Sequence, residues 1–136
     1  MTLHVPTPSD LPSFVGSILG PTDWVRIEQD QIDLFAEATG QPTGETAPGY
    51  LTLSLVNLLL PELVVVDEFS MGVNVGLEQV LLGALVPAGH SIRGTGEIIS
   101  AEPRGGGIQV VVRVSIEADG VGEPACVADT ISRFFA

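Results

Sequence analysis

Between Ile108 and Ile116 every second residue is apolar. Ile108, Val110, Val112, Val114 and Ile116 fall on one side of an extended chain, with Gln109, Arg113, Ser115 and Glu117 on the other. Side chains alternate between the faces of a strand, so this run predicts a strand with one face in a core and the other largely wet. Val64 to Val66, Ser70 to Leu82, Ser91 to Glu102 and Pro124 to Phe135 are also β-rich. Turn residues such as Pro87-Ala88-Gly89, Gly105-Gly106-Gly107 and Asp119-Gly120 separate the later runs.

The first half carries a different period. Leu11, Phe14, Val15 and Ile18 recur at helical spacing after Ser9 and Asp10, either of which suits an N-cap, and Gly20-Pro21 is a stop. Residues 1–20 therefore read as an N-terminal arm with a short amphipathic helix. Asp23 to Ile27 predicts a first strand. From Asp30 to Gly40, Ile32, Phe35 and Ala36 share a face, with Asp30 and Asp33 placed to favour a helix N-terminus. Gln41 to Gly49 lacks any period and reads as a loop. Tyr50 to Leu60 is apolar almost all round, which predicts a helix buried on most faces and ended by Pro61. Helices first and antiparallel strands second define one α+β domain over residues 1–136: a curved antiparallel sheet wrapped around a central helix.

Charge narrows the partners. Lys and Arg total 5 against 17 Asp and Glu, giving a net charge of −12, and every basic residue is an Arg. Affinity for nucleic acid and for anionic membranes rests on Lys and Arg, so neither is an expected partner. Leu51 to Leu60 is about half the roughly twenty apolar residues that span a bilayer. Met1 to Pro8 has neither a basic start nor a long apolar run, so the expected compartment is the cytoplasm. Cys126 has no partner for a disulfide and reads as a buried thiol. No spacing of His, Cys, Asp and Glu suggests a metal site, and Gly105 to Gly107, without a following helix or Lys, reads as a hairpin loop rather than a phosphate cradle. No cofactor is expected.

Five segments in order carry a family resemblance from about Trp24 to the C-terminus. They are Trp24-Val25-Arg26-Ile27-Glu28-Gln29, Ile32 to Gly40, Gly49-Tyr50-Leu51-Thr52-Leu53-Ser54-Leu55, Gly72 to Leu77 with Val86-Pro87-Ala88-Gly89, and Pro124-Ala125-Cys126-Val127-Ala128. Together they resemble MaoC-like, R-specific enoyl-CoA hydratases. The resemblance implies a single hotdog domain that pairs edge to edge into a homodimer, or into a heterodimer with a related hotdog protein. It also implies a catalytic Asp directly after Thr39-Gly40 and a catalytic His five positions later. This chain has Gln41 and Thr46 there, in a shortened segment, and its two histidines, His4 and His90, stand elsewhere. Where the family shows two basic residues after Gly76-Leu77, this chain has Glu78-Gln79-Val80-Leu81-Leu82, which makes coenzyme A a poor ligand.

Adding water to an enoyl thioester needs a base for the water and an acid for the α-carbon, both within hydrogen-bond reach. The Gln41 amide can orient a water and cannot take its proton. The family position of Gly49 contributes a backbone N–H to an oxyanion hole, and a helix start suits developing negative charge, although a glycine there also simply permits a tight turn. Glu45, the loop's one carboxylate, is a replacement acid or base if partly buried and a solvated side chain otherwise. Gln41, Glu45 and Gly49 are thus the candidate catalytic groups, and Tyr50, Asn74 and Thr46 the candidate substrate contacts. Two functions fit. One is an enzyme acting on a neutral, apolar, polyketide-like intermediate by cyclisation, isomerisation or elimination. The other is a non-catalytic subunit that completes a hydratase-like partner. A hydratase using Glu45 is a third.

Overall fold

A computed structural model describes all residues, Met1–Ala136. In chain order it contains β1 (Leu3–Val5), a 3₁₀ turn (Pro8–Phe14), β2 (Ile18–Leu19), β3 (Val25–Arg26), α1 (Gln29–Thr39), β4 (Thr46–Ala47), α2 (Gly49–Ser54), α3 (Val56–Leu63), β5 (Val64–Val66), β6 (Met71–Leu82), β7 (Val86–Pro87), β8 (Ser91–Arg104), β9 (Gly107–Ala118) and β10 (Cys126–Phe135). The main sheet is antiparallel in the order β2-β8-β9-β10-β6, with β3 also on β8. The β8–β9 hairpin closes on Gly105 and Gly106, both at positive φ (62° and 87°), a conformation glycine adopts without steric cost.

The alternation of β9 sets the core. Val110, Val112, Val114 and Ile116 are buried with Ile92 and Ile98 of β8 and Ala128 of β10. On the opposite face Arg113 is exposed, but Gln109 and Val111 are buried. That face is therefore drier near the hairpin than expected. Arg133 reaches over it, donating from Nη2 to Gln109 Oε1 at 2.8 Å.

α1 follows the expected span. It starts one residue early because Glu28 is the N-cap, donating its N–H to Gln31 Oε1 at 2.8 Å, and it ends at Gly40 in the left-handed region (φ 70°).

The central helix differs from its expectation. It is two short helices joined at Leu55, and Pro61 lies inside α3 instead of ending it. The helix pair is also not buried on most faces: Val56, Leu59 and Leu63 are buried, whereas Tyr50, Ser54, Asn57 and Leu58 are exposed. Hydropathy alone overstates burial here because the exposed side of the pair flanks a sheet edge with no neighbouring strand.

The N-terminal arm also differs. Pro12 has no N–H to give, and Thr7 caps a 3₁₀ turn with Asp10, so the expected helix to Gly20 is replaced by this turn and two flanking strands. β1 pairs in parallel with β5 and β2 pairs with β8, and Val5, Leu11 and Leu19 join the common core.

β6 is the free edge. Its ladder to β10 shifts register at Asp129/Thr130 and Ile131/Ser132, leaving Val75 and Glu78 as the extra residues of two bulges. Phe69, Met71, Val75, Leu77, Leu81 and Leu82 are all exposed along it.

Leu59 is 1% exposed and Leu58 49% exposed. We expect Leu59→Ala to cost about 2–5 kcal/mol in urea unfolding, and Leu58→Ala to cost no more than about 0.5 kcal/mol in the isolated protomer. Equal losses would contradict this orientation of α3.

Candidate active site

A cavity of about 730 Å³ opens between α1, the loop after it and the start of α2. α1 supplies Ile32, Phe35, Ala36 and Thr39, which bring apolar surface and one hydroxyl. The loop supplies Gln41, Pro42, Thr43 and Gly44, and beyond it come Thr46, Pro48 and Tyr50. Short β4 fixes the far end of the loop by pairing with β7, and the Ala88 N–H donates to Glu45 O at 2.9 Å.

The structure brings together Gln41, Thr46 and Tyr50 on these walls. Gly49 is adjacent, as the first residue of α2, and neither its N–H nor that of Tyr50 finds an acceptor within the chain. Both donors are orphans of a helix start. A Cβ at Gly49 would come within 2.9 Å of Leu82 Cδ1, so the glycine lets α2 begin close against the end of β6.

Glu45 and Asn74 are not part of this group. Glu45 is exposed, and the walls include its neighbours Gly44 and Thr46 but not Glu45 itself. Asn74 lines a separate crevice of about 270 Å³ with Leu53, Asn57 and Leu77, between the helices and β6.

The phenol of Tyr50 is the only titratable side chain on the cavity walls. His4 contacts Asp67 at 2.7 Å, and His90 Nδ1 lies 3.0 Å from Asp119 O, both away from the cavity. Cys126 is fully buried in the core, and desolvation pushes its thiol pKa up. No Arg lines the cavity, and three of the five are engaged with carboxylates elsewhere: Arg26 with Glu28, Arg93 with Glu117 and the face of Trp24, and Arg113 with Asp129. No group of three or more His, Cys, Asp or Glu side chains is placed to hold a metal.

One residue assigned from sequence to a helix start has another role. Asp33 Oδ1 accepts from Thr43 Oγ1 at 2.5 Å and from Gln29 Nε2 at 2.9 Å, and Gln29 Nε2 also donates to Gly44 O at 2.8 Å. These bonds, the one from Thr43 foremost, hold the Asp33 carboxyl below its ordinary value of 3.8. The separation of ten positions between Asp33 and Thr43 hides this contact from any local sequence pattern.

No protein-family model matches the chain. It is 35% identical to the 3-hydroxyacyl-thioester dehydratase Z of Mycobacterium tuberculosis, with 94% of this chain and 95% of that protein covered. It is 31% identical to nodulation protein N of Rhizobium leguminosarum biovar viciae, covering 96% and 92%. Among solved structures, the MaoC-like dehydratase of Rhodospirillum rubrum superposes with a TM-score of 0.69 at 16% identity, covering 89% of this chain and 92% of that one. The HadBC (3R-hydroxyacyl-ACP dehydratase) complex of Mycobacterium tuberculosis gives 0.61 at 21% identity, covering 89% and 96%. The chain belongs to the MaoC-like family of hotdog-fold proteins. The alignment to the mycobacterial dehydratase runs over 144 positions, more than the 136 residues here, so that relative carries residues this chain lacks.

The depressed pKa gives Asp33 a definite pH signature. Its hold on Thr43 and Gln29 is present above the ordinary carboxylate value and is lost as pH falls through the lowered one. Carboxyl carbon shifts followed by NMR should show Asp33 titrating below the ordinary aspartate value of 3.8. A midpoint at or above that value would contradict the contact.

Proposed function

We propose that this protein binds a neutral, mainly apolar small molecule in the cavity beside α1 and promotes its cyclisation, isomerisation or elimination, as in the processing of polyketide-like intermediates. The observation that carries this reading is the chemistry of the walls. Apolar groups, hydroxyls and one amide line the cavity, with no carboxylate, imidazole, thiol or guanidinium among them. In this reading the free N–H of Gly49 polarises a substrate carbonyl, Gln41 and Thr46 orient it by hydrogen bonds, and the Tyr50 phenol donates or relays a proton. Shape and fixed dipoles promote such rearrangements without a strong base. Glu45 and Asn74 lie outside this cavity and have no part in the proposed step.

Classical hydration has less support, because neither Gln41 nor Thr46 can act as a general base at neutral pH. The engagement of Arg26, Arg93 and Arg113 with the chain's own carboxylates likewise favours an uncharged ligand over one with several phosphates.

The free edge of β6 supports pairing of two hotdog domains, most simply as a homodimer. A second reading, a non-catalytic subunit paired with a complete hydratase or dehydratase, draws support from the same apolar edge and from the likeness to a subunit of a dehydratase complex. Light scattering on the purified protein separates the two: a stable dimer is expected, and a monomer favours the second reading.

Crotonyl-CoA hydration followed by ultraviolet absorbance tests the chemistry. No turnover above the buffer rate is expected. Turnover that disappears in Glu45→Gln would overturn the proposal and make Glu45 the working acid or base.

A further inference from the structure

The loop that walls the cavity is short and polar, and it leaves α1 with little apolar surface of its own to hold it down. Gln41 is tied at one end by its N–H to Ala36 O at 2.9 Å, and Glu45 at the other by its carbonyl to the Ala88 N–H. Between them the loop is fastened from the side by one carboxylate. Asp33 and Gln29 lie four residues apart on α1, where side chains meet on one helix face. Gln29 Nε2 donates at once to Asp33 Oδ1 (2.9 Å) and to Gly44 O (2.8 Å), while Thr43 Oγ1 donates to the same Asp33 oxygen at 2.5 Å.

We propose that Asp33 is a positioning residue for the cavity: through Thr43 and Gln29 it holds the Gln41 to Gly44 wall at the distance from α1 that a ligand requires. The inference rests on the reading of this cavity as the ligand site. The clamp suits a carboxylate because one oxygen must accept from two donors, and an ionised acceptor makes the stronger bonds. It is also a local device. Asp33, Thr43 and Gly44 are all exposed, so the contact adds little to global stability, whereas fixing a wall in its bound geometry spares a ligand the entropy of ordering it. Asp30, one turn away and free of any side-chain hydrogen bond in the chain, provides the control.

The test uses the full chain labelled with ¹⁵N and Nile red, a neutral apolar dye, with binding read from amide shifts at Gln41, Thr46 and Tyr50. Thr43→Val keeps the size of the side chain and removes the donor, Thr43→Ser restores it, and Asp33→Ala removes the acceptor. In the wild type and in Asp30→Asn, amide order parameters of Thr43, Gly44 and Glu45 should match rigid backbone near 0.85, whereas Thr43→Val and Asp33→Ala should fall toward about 0.6. The same two variants should bind the dye about fivefold more weakly, as expected for one lost hydrogen bond. Their thermal midpoints should stay close to wild type, and Thr43→Ser should recover both rigidity and binding.

A change in thermal midpoint without a change in dye affinity would overturn the proposal, since a purely structural bond would behave that way. Unchanged order parameters with unchanged affinity would also overturn it while leaving the cavity reading intact. If the wild type binds no dye at the cavity, the cavity reading fails, and the order parameters alone decide whether the clamp exists.

Discussion

The packing of α3 on the glycines of β8 is the contact on which the remaining geometry depends. A Cβ at Gly94 would stand 3.2 Å from Leu59 Cδ1, and one at Gly96 would stand 3.4 Å from Leu63 Cδ1, so the helix rests almost directly on strand backbone. Glycine in a strand weakens it, and it is tolerated where another element must approach closely. Here that approach lets one short helix fill the concave side of the sheet. The start of α2 then falls with Tyr50 on the cavity wall and Gly49 beside it. The same placement leaves Leu58 exposed and sets Ser54 and Asn57, also exposed, beside the unpaired edge of β6.

The electrostatics follow a simple division. The molecule carries a net charge of −12, yet its cavity is lined by neutral groups and its guanidinium groups largely serve the sheet surface. Asp129 of β10 is 6% exposed and takes both oxygens' hydrogen bonds from Arg113, at 2.8 and 3.1 Å. That pairing raises the Arg113 pKa and joins neighbouring strands on the outer face. A family scaffold is retained around a cavity whose walls carry Tyr50 as their one ionisable side chain.

Most of the sheet was legible in the sequence because two-residue periodicity is a local signal, and β9 showed it over nine residues with Val111 as the one apolar residue on the polar face. Strand ends were off by one or two residues at most of the long strands. Three features were not legible. The N-terminal strands β1 and β2 are too short to show a period, and their pairing with β5 and β8 is a long-range fact. The exposure of Leu58 and Asn57 depends on which side of the helix lacks a neighbour, which hydropathy does not encode. Asp33 reads equally well as a helix-start residue, and only the folded loop brings Thr43 to it. At the site, the family resemblance placed Gln41, Thr46, Gly49 and Tyr50 in one neighbourhood. Glu45 and Asn74 were chosen by residue type within a segment, and a single step along the extended chain turned Glu45 to the other side of the wall.

The most direct test of a neutral-ligand cavity is a crystal structure of the protein soaked with an uncharged N-acetylcysteamine thioester of an apolar acyl chain. The account predicts density between α1 and α2, with the thioester carbonyl at the Gly49 N–H and the chain against Ile32 and Phe35. An empty cavity with the ligand lying instead in the crevice beside Asn57 and Asn74 would contradict it.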